Sequence, residues 1–274
     1  MRRSTGTGIA RKRFGQHFLE KSWAEKVAGA VGARPSDVIL EIGPGRGAMT
    51  HLLGAASAHV VAFEIDRDLV PLLREATASN VTIVEGDFLD LTAQRVRAAL
   101  GGAGVSPGAS VRVAGNLPYN VASPILFKLL ELIDEGLPIT DATVMLQREV
   151  ADRLTARPGT KEYGVLSVLI GHRADVQRLL TLPPGAFRPQ PNVRSAVVSL
   201  RFHPPSPPAR EPAVFEGLTK AIFTRRRKTL ANALRAYRSE GLADALRRAG
   251  LDGRRRPETL DIRELVALAD AIES

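Results

Sequence analysis

The chain has 274 residues, 44% of them hydrophobic, enough for one good-sized core or for a catalytic domain with a small appendage. It contains no cysteine, which excludes disulfides, thiolate nucleophiles and Cys-ligated zinc, and no metal is expected. Lys plus Arg number 38 against 29 for Asp plus Glu, a net charge of +9 that suits a polyanionic partner such as nucleic acid, although a basic protein from an Arg-rich proteome has the same balance.

Residues 1 to 10 read as a disordered basic tail, and no apolar signal core follows them. No apolar run reaches the roughly eighteen residues that span a bilayer, so a cytoplasmic protein without membrane contact is expected. Val38 to Ile42 reads as a buried parallel strand, followed by glycines and a helix over Ala48 to Ala56. Val60 to Phe63 is a second strand ending at Glu64, with a helix over Leu69 to Ala76. Val81 to Val84 is a third, leading to Asp87, and Val111 to Ala114 a fourth, running into Asn116. Pro124 to Ile133 is helical with Ser123 placed to cap it, and Ala142 to Leu146 is a fifth strand. This alternation predicts an α/β fold, a doubly wound, Rossmann-like parallel sheet. Val176 to Leu182 and Ser195 to Phe202 are expected as antiparallel additions at its edge. Pro204 to Pro208 reads as a stiff linker, so residues 11–204 form the expected catalytic domain. Only helical signals follow, which makes 209–274 a small all-α C-terminal domain.

Gly43-Pro44-Gly45-Arg46-Gly47 follows the first strand, with Glu41 two positions before the first glycine. Glycines let backbone turn tightly against a ligand. An acid at Glu41 would repel a pyrophosphate but suits the cationic amino-acid end of S-adenosylmethionine. A plain glycine turn remains the alternative. Glu64 can accept two ribose hydroxyls, or be a surface glutamate at a strand end; Asp87 can accept from an adenine amine, or cap a helix. Turns and acids at the C-terminal ends of three consecutive strands mark the usual ligand position in an open α/β sheet.

Asn116-Leu117-Pro118-Tyr119 lies on the same edge. An adenine-type amine is a poor nucleophile because its lone pair is delocalised into the ring. The Asn116 side-chain oxygen and the Leu117 carbonyl can accept its two hydrogens and favour the tetrahedral geometry that attacks a sulfonium methyl. Pro118 stiffens the loop, and Tyr119 offers a ring for stacking. The tetrapeptide alone supports amine methylation on DNA, RNA or protein, or a proline turn with a core tyrosine. Arg225-Arg226-Arg227-Lys228, Arg254-Arg255-Arg256 and Arg11-Lys12-Arg13 fit phosphate contacts, or solvated helix faces.

These motifs, with Phe14 to Leu19, Glu64-Ile65-Asp66, Gly86-Asp87-Phe88, Asn120, Phe187-Arg188-Pro189 and Ser195 to Val198, resemble the ribosomal RNA adenine dimethyltransferase family over nearly the whole chain. The resemblance implies a Rossmann-like S-adenosylmethionine-dependent methyltransferase. His17, Leu19, Gly43, Gly45, Glu64, Ile65, Asp87, Phe88 and Asn116 would line the cofactor site. Many relatives carry asparagine where this chain has His17. Asn116, Leu117, Pro118 and Tyr119 would hold the target base, with Phe187 sandwiching it against Tyr119. Arg225, Arg226, Arg227 and Lys228 would contact RNA. Leu117 and the helical extension favour the small-subunit branch, implying N6-dimethylation of two adjacent adenosines near the 3′ end of 16S rRNA by a monomer. The alternatives are a 23S rRNA resistance methylase, or an assembly or transcription factor that keeps the fold without catalysis, against which the intact Asn116 and Glu64 argue.

Overall fold

A computed structural model describes residues 17–238 and 240–273. The expected N-terminal tail and the Arg11-Lys12-Arg13 cluster lie outside the described residues, as does Phe14 to Gln16. The chain divides into two compact units, one of residues up to 151 with 177–201, the other of 152–176 with residues from 202 onward.

The elements of the first unit are β1 (Phe18–Leu19), α1 (Lys21–Val31), β2 (Val38–Ile42), α2 (Thr50–Ala56), β3 (His59–Glu64), α3 (Leu69–Ala76), β4 (Val81–Glu85), α4 (Ala93–Gly102), β5 (Val111–Asn116), α5 (Ala122–Asp134) and β6 (Ile139–Gln147). α6 (Arg148–Leu154) straddles the boundary, and α7 (Val165–Gly171) precedes β7 (Ala174–Leu182), β8 (Phe187–Arg188) and β9 (Ser195–Phe202). Seven strands form one sheet in the order β4-β3-β2-β5-β6-β9-β7. β4, β3, β2, β5 and β6 run parallel, and β9 is antiparallel to β6. The expected doubly wound sheet with an antiparallel addition is what forms.

Central β2 is buried at every position because helices cover both faces of a parallel sheet, whereas β4 at the edge is only partly covered. α3 turns Leu69, Val70 and Leu73 inward, and α5 turns in Ile125, Leu126, Leu129 and Leu132. The helix expected to start at Pro124 begins two residues earlier. Ser123 therefore lies inside its first turn rather than capping it, and Pro124 is tolerated there because a first-turn N–H has no helical partner.

One side chain ties the N-terminal ends of the strands together. Arg112 on β5 donates to Asp141 on β6 (2.9 Å), to Asp37 before β2 (2.7 Å), and to the carbonyls of Val31 (2.8 Å) and Gly32 (3.1 Å) that end α1. Burial alone would raise the Asp37 pKa, but Arg112 and the Arg34 N–H outweigh it and hold the carboxyl below its usual range.

The second unit contains α8 (Pro212–Thr224), α9 (Leu230–Leu234), α10 (Leu242–Arg248) and α11 (Ile262–Glu273), with α8 touching α7, α9 and α11. It is larger than the expected 209–274, because 152–176 belongs with it. The Ser167 hydroxyl donates to the Arg153 carbonyl (2.5 Å), and Tyr163 meets Phe223 edge-on at 5.9 Å. The proline-rich stretch is not a free linker: His203 and Ser206 donate their N–H groups to the carbonyls of Arg173 and His172 (2.9 and 3.0 Å). Among the described residues no helix is long and apolar enough to cross a membrane, and no cluster of three or more His, Asp or Glu is placed to hold a metal.

Candidate active site

Leaving β2 the chain proceeds to β3 and β4 on one side of the sheet, and then returns to β5 and β6 on the other. The strand order thus reverses between β2 and β5, and a crevice opens beyond their C-terminal ends, the position open α/β sheets use for ligands. Gly43 leaves β2 and Asn116 ends β5, so both lie on this crevice.

Gly43, Gly45 and Gly47 have φ of 66°, 59° and 80°, a left-handed region that strains any side-chain-bearing residue. At Gly45 space is short as well, since a Cβ would lie 3.3 Å from the Phe18 ring. The Glu64 carboxylate closes the turn, accepting from the Gly45 N–H (2.9 Å) and the Asp66 N–H (2.8 Å). Burial pushes the Glu64 pKa up, and these N–H groups offset it only in part. Two oxygens with about four lone-pair sites still leave this carboxylate capacity for two hydroxyls. Beside it Ile65 is 41% exposed, a flat apolar surface on the groove where a strand-end side chain would normally be covered.

Glu41 is fully buried on β2, and its Oε2 has no hydrogen-bond partner. Burial pushes its pKa up to about 7, the Glu64 charge adds to this, and the Thr50 hydroxyl opposes it. A cavity of about 270 Å³ lies against Glu41, Gly43, Pro44, Gly45, Leu19 and Asn116. A second, of about 70 Å³, is lined by His17, Gly43, Glu64, Ile65, Asn116 and Tyr119 among others. The two share Gly43, Gly45, Phe18 and Asn116 and so form one groove across the crevice.

The Asn116 Nδ2 donates to the His17 carbonyl (3.0 Å). That bond sets the amide with its donor end occupied, leaving Oδ1 as the acceptor it can present. Leu117 is held by its N–H to the Met145 carbonyl (2.9 Å). The Tyr119 hydroxyl is 2.6 Å from the buried Ser195 hydroxyl, and burial keeps the phenol pKa above its ordinary value. His17 stacks on the Tyr119 ring, centroids 5.5 Å apart and planes at 25°, while its Nδ1 donates to the Pro189 carbonyl (2.8 Å). A base that stacked on that face of Tyr119 would have to displace His17.

The structure thus brings His17, Leu19, Gly43, Gly45, Glu64, Ile65, Asn116, Leu117, Pro118 and Tyr119 together. Two expected residues, Phe187 and Phe88, turn into the core. Phe187 does not face Tyr119: pairing of Leu19 with Phe187 draws its ring into the core, where it is 0% exposed among Val27, Val31, Leu182 and Ala186. Asp87 accepts the Leu89 N–H with Oδ1 (2.9 Å), a cap that leaves its second oxygen for a ligand. Phe88 turns inward, edge-on to Phe63 at 6.4 Å. Of the basic run, Arg225, Arg227 and Lys228 are exposed just past the C-terminus of α8, whereas Arg226 donates to the Lys161 carbonyl (2.7 Å).

Gly115 was not singled out by sequence reasoning, although its place beside Asn116 was a signal. A Cβ there would lie 2.7 Å from the Ile42 carbonyl oxygen, backbone that cannot yield. Gly115→Ala should wedge β2 from β5 at the crevice, costing about 1–3 kcal/mol of stability. Turnover should fall more than the change in unfolding temperature accounts for. A variant with wild-type turnover and stability would show that the close approach is dispensable.

Residues 9–273 match the family described as ribosomal RNA adenine dimethylase. The chain is 44% identical over 278 residues to a ribosomal RNA small subunit methyltransferase A of Geobacter sulfurreducens, covering 97% of each. It is 41% identical over 267 residues to the protein of that name from Pseudomonas fluorescens, covering 96% of this chain and 94% of the relative. Among solved structures it resembles a dimethyladenosine transferase from Plasmodium falciparum (TM-score 0.68, 22% identity, 92% of this chain and 96% of the other). It also resembles the 23S rRNA methyltransferase ErmE (TM-score 0.65, 25% identity, 94% and 100%).

Proposed function

This chain belongs to the ribosomal RNA adenine dimethylase family and is an S-adenosylmethionine-dependent enzyme acting on ribosomal RNA, and we propose that it dimethylates N6 of two adjacent adenosines near the 3′ end of 16S rRNA. The observation that carries the chemistry is Asn116, whose amide nitrogen is held by the His17 carbonyl, which leaves Oδ1 as its acceptor in a groove that Leu117 also lines. The small-subunit target is supported by the relatives' names. The enzyme works as a cytoplasmic monomer on the subunit or its precursor.

The donor set fits the cofactor. Glu64 would take the ribose hydroxyls, Ile65 the adenine face, and the unpartnered Glu41 oxygen the ammonium. S-adenosylmethionine supplies an electrophilic methyl on a sulfonium. Asn116 Oδ1 and the Leu117 carbonyl accept the two amine hydrogens and pull the nitrogen toward tetrahedral geometry, while Tyr119, anchored by Ser195, provides a ring against the base. No strong base is needed, since the nitrogen becomes acidic only once methylated, and its proton then leaves to water. A monomethylated amine keeps one hydrogen for Asn116, which permits the second transfer.

Glu41 gives this account a pH dependence. Its pKa is raised in the free protein, so its ionisation costs stability as pH rises from its unfolded-state value through about 7. An ammonium group favours the ionised form, so cofactor affinity should rise with pH between 6 and 8, by at most about tenfold per unit. Glu41→Gln should flatten that profile in a calorimetric titration. A profile unchanged in the variant would remove Glu41 from the ammonium site.

Arg225, Arg227 and Lys228 would position RNA through phosphates, rather than only complementing the C-terminus of α8. Arg227→Ala and Lys228→Ala should each reduce the salt slope of subunit binding by about one. An unchanged slope would assign them to a solvated helix end. The function itself is tested by labelled methyl transfer from S-adenosylmethionine to undermethylated small subunits. N6,N6-dimethyladenosine in 16S rRNA is expected, and label confined to 23S rRNA would overturn the small-subunit reading.

A further inference from the structure

The second unit holds a cavity of about 490 Å³ that the methyl-transfer chemistry does not use. Its volume falls within the range of about 300–1,000 Å³ typical of ligand sites. Leu154 and Ile262 give it an apolar wall. Tyr163 also lines it, 2% exposed, and the Tyr163 hydroxyl is buried without a hydrogen-bond partner. Most buried hydroxyls are paired, so an orphaned one on a cavity wall calls for an occupant. Burial, with the charges of Asp261 and Glu264, pushes the Tyr163 phenol well above its ordinary pKa, so at neutral pH it is an O–H donor.

The rim is polar and mostly cationic. Arg157 and Arg263 are exposed, and among the described residues neither has an ion-pair partner. Asp261 accepts the Glu264 N–H with Oδ1 (2.8 Å) at the start of α11, which leaves its second oxygen for an outside donor. An acceptor and a neutral donor beside an apolar wall, flanked by two cations, match a nucleobase edge with phosphates on either side.

We propose that this cavity is a second nucleotide site, which takes an unpaired nucleotide of the ribosomal RNA other than the one being methylated. Its base lies against Leu154 and Ile262, the Tyr163 hydroxyl donates to a base acceptor, Asp261 accepts from a base amine, and Arg157 and Arg263 hold the flanking phosphates. The site rests on the reading of ribosomal RNA as substrate and adds to it a grip in the C-terminal unit that does no chemistry.

The test uses the full chain and undermethylated small subunits. Tyr163→Phe keeps the packing and removes only the donor. It should raise the subunit KM about three- to tenfold, the equivalent of one neutral hydrogen bond, with kcat retained. Asp261→Asn keeps the helix cap but reverses part of the pairing pattern, and should raise KM likewise. The Arg157→Ala, Arg263→Ala double variant should reduce the salt slope by about two. Ultraviolet cross-linking of the wild-type chain should place RNA adducts within residues 154–163 or 261–263. Wild-type KM and salt slope in all three variants, with adducts only elsewhere, would overturn the site while leaving the enzyme reading intact. A wild-type chain that neither binds nor methylates the subunit would overturn the substrate reading instead.

Discussion

Asn116→Ala is expected to lower kcat by at least about a thousandfold while cofactor affinity stays within about threefold. Removing one preorganised dipole from a transition state typically costs about 10²–10³ in rate. On the proposed mechanism the side chain would hold a hydrogen of the amine and also set the geometry at the nitrogen, so the loss should reach or exceed the upper end. On the proposed reading the cofactor would be held mainly by other groups, namely the Gly43–Gly47 turn, Glu41, Glu64 and Ile65. Asn116→Asp sharpens the test. It restores an acceptor but places a carboxylate oxygen against the His17 carbonyl, which the Asn116 amide now satisfies at 3.0 Å. Repulsion should turn the group away and leave turnover low. If either variant methylates at a near-normal rate, the acceptor pair is not the source of catalysis.

Arg112→Met should be the most destabilising single change at the end of the sheet away from the active site. The side chain is only 21% exposed and serves two carboxylates and two carbonyls at once. Its loss leaves Asp37 and Asp141 close together without a cation, which costs about 2–4 kcal/mol and lowers the unfolding temperature by ~5–10 °C. The Asp37 pKa is depressed in the folded state, so the contribution is fully present above its unfolded-state value and is lost as pH falls through the folded one. The gap between wild type and variant, measured by thermal unfolding, should therefore narrow in acid. A variant as stable as wild type at neutral pH would mean that solvent already screens the cluster.

What local pattern encodes was legible in the chain. β2, β3 and β5 are short β-branched runs flanked by turn residues, and Gly43, Glu64 and Asn116 stand at their C-terminal ends, so strand alternation alone placed them on one crevice. α1, α4, α6 and α7 were missed. In α1 the buried set is only Ala24, Val27 and Val31, too sparse to register as an apolar stripe, and α7 is apolar nearly throughout and shows no polar face. What depends on distant pairing was not legible. Phe187 was expected against the base, and the antiparallel pairing of β1 with β8, far apart in the chain, draws it into the core instead. Asp87 was open between ligand and cap; one oxygen takes the Leu89 N–H and the other is left for a ligand, so the two roles are compatible. Ser195 appeared as the start of a strand and of a family motif with no role assigned, yet it anchors Tyr119 across 76 residues. The grouping of 152–176 with the C-terminal helices is likewise a matter of packing between α7 and α8, which no linker composition could reveal.

The central claim is that this chain methylates adenine amines in ribosomal RNA of the small subunit. Mass spectrometry of ribosomal RNA from cells with and without its gene tests it most directly. Two adjacent N6,N6-dimethyladenosines near the 3′ end of 16S rRNA should be present with the gene, absent without it, and absent when the gene encodes Asn116→Ala. Unaltered dimethyladenosine in cells lacking the gene would contradict the account.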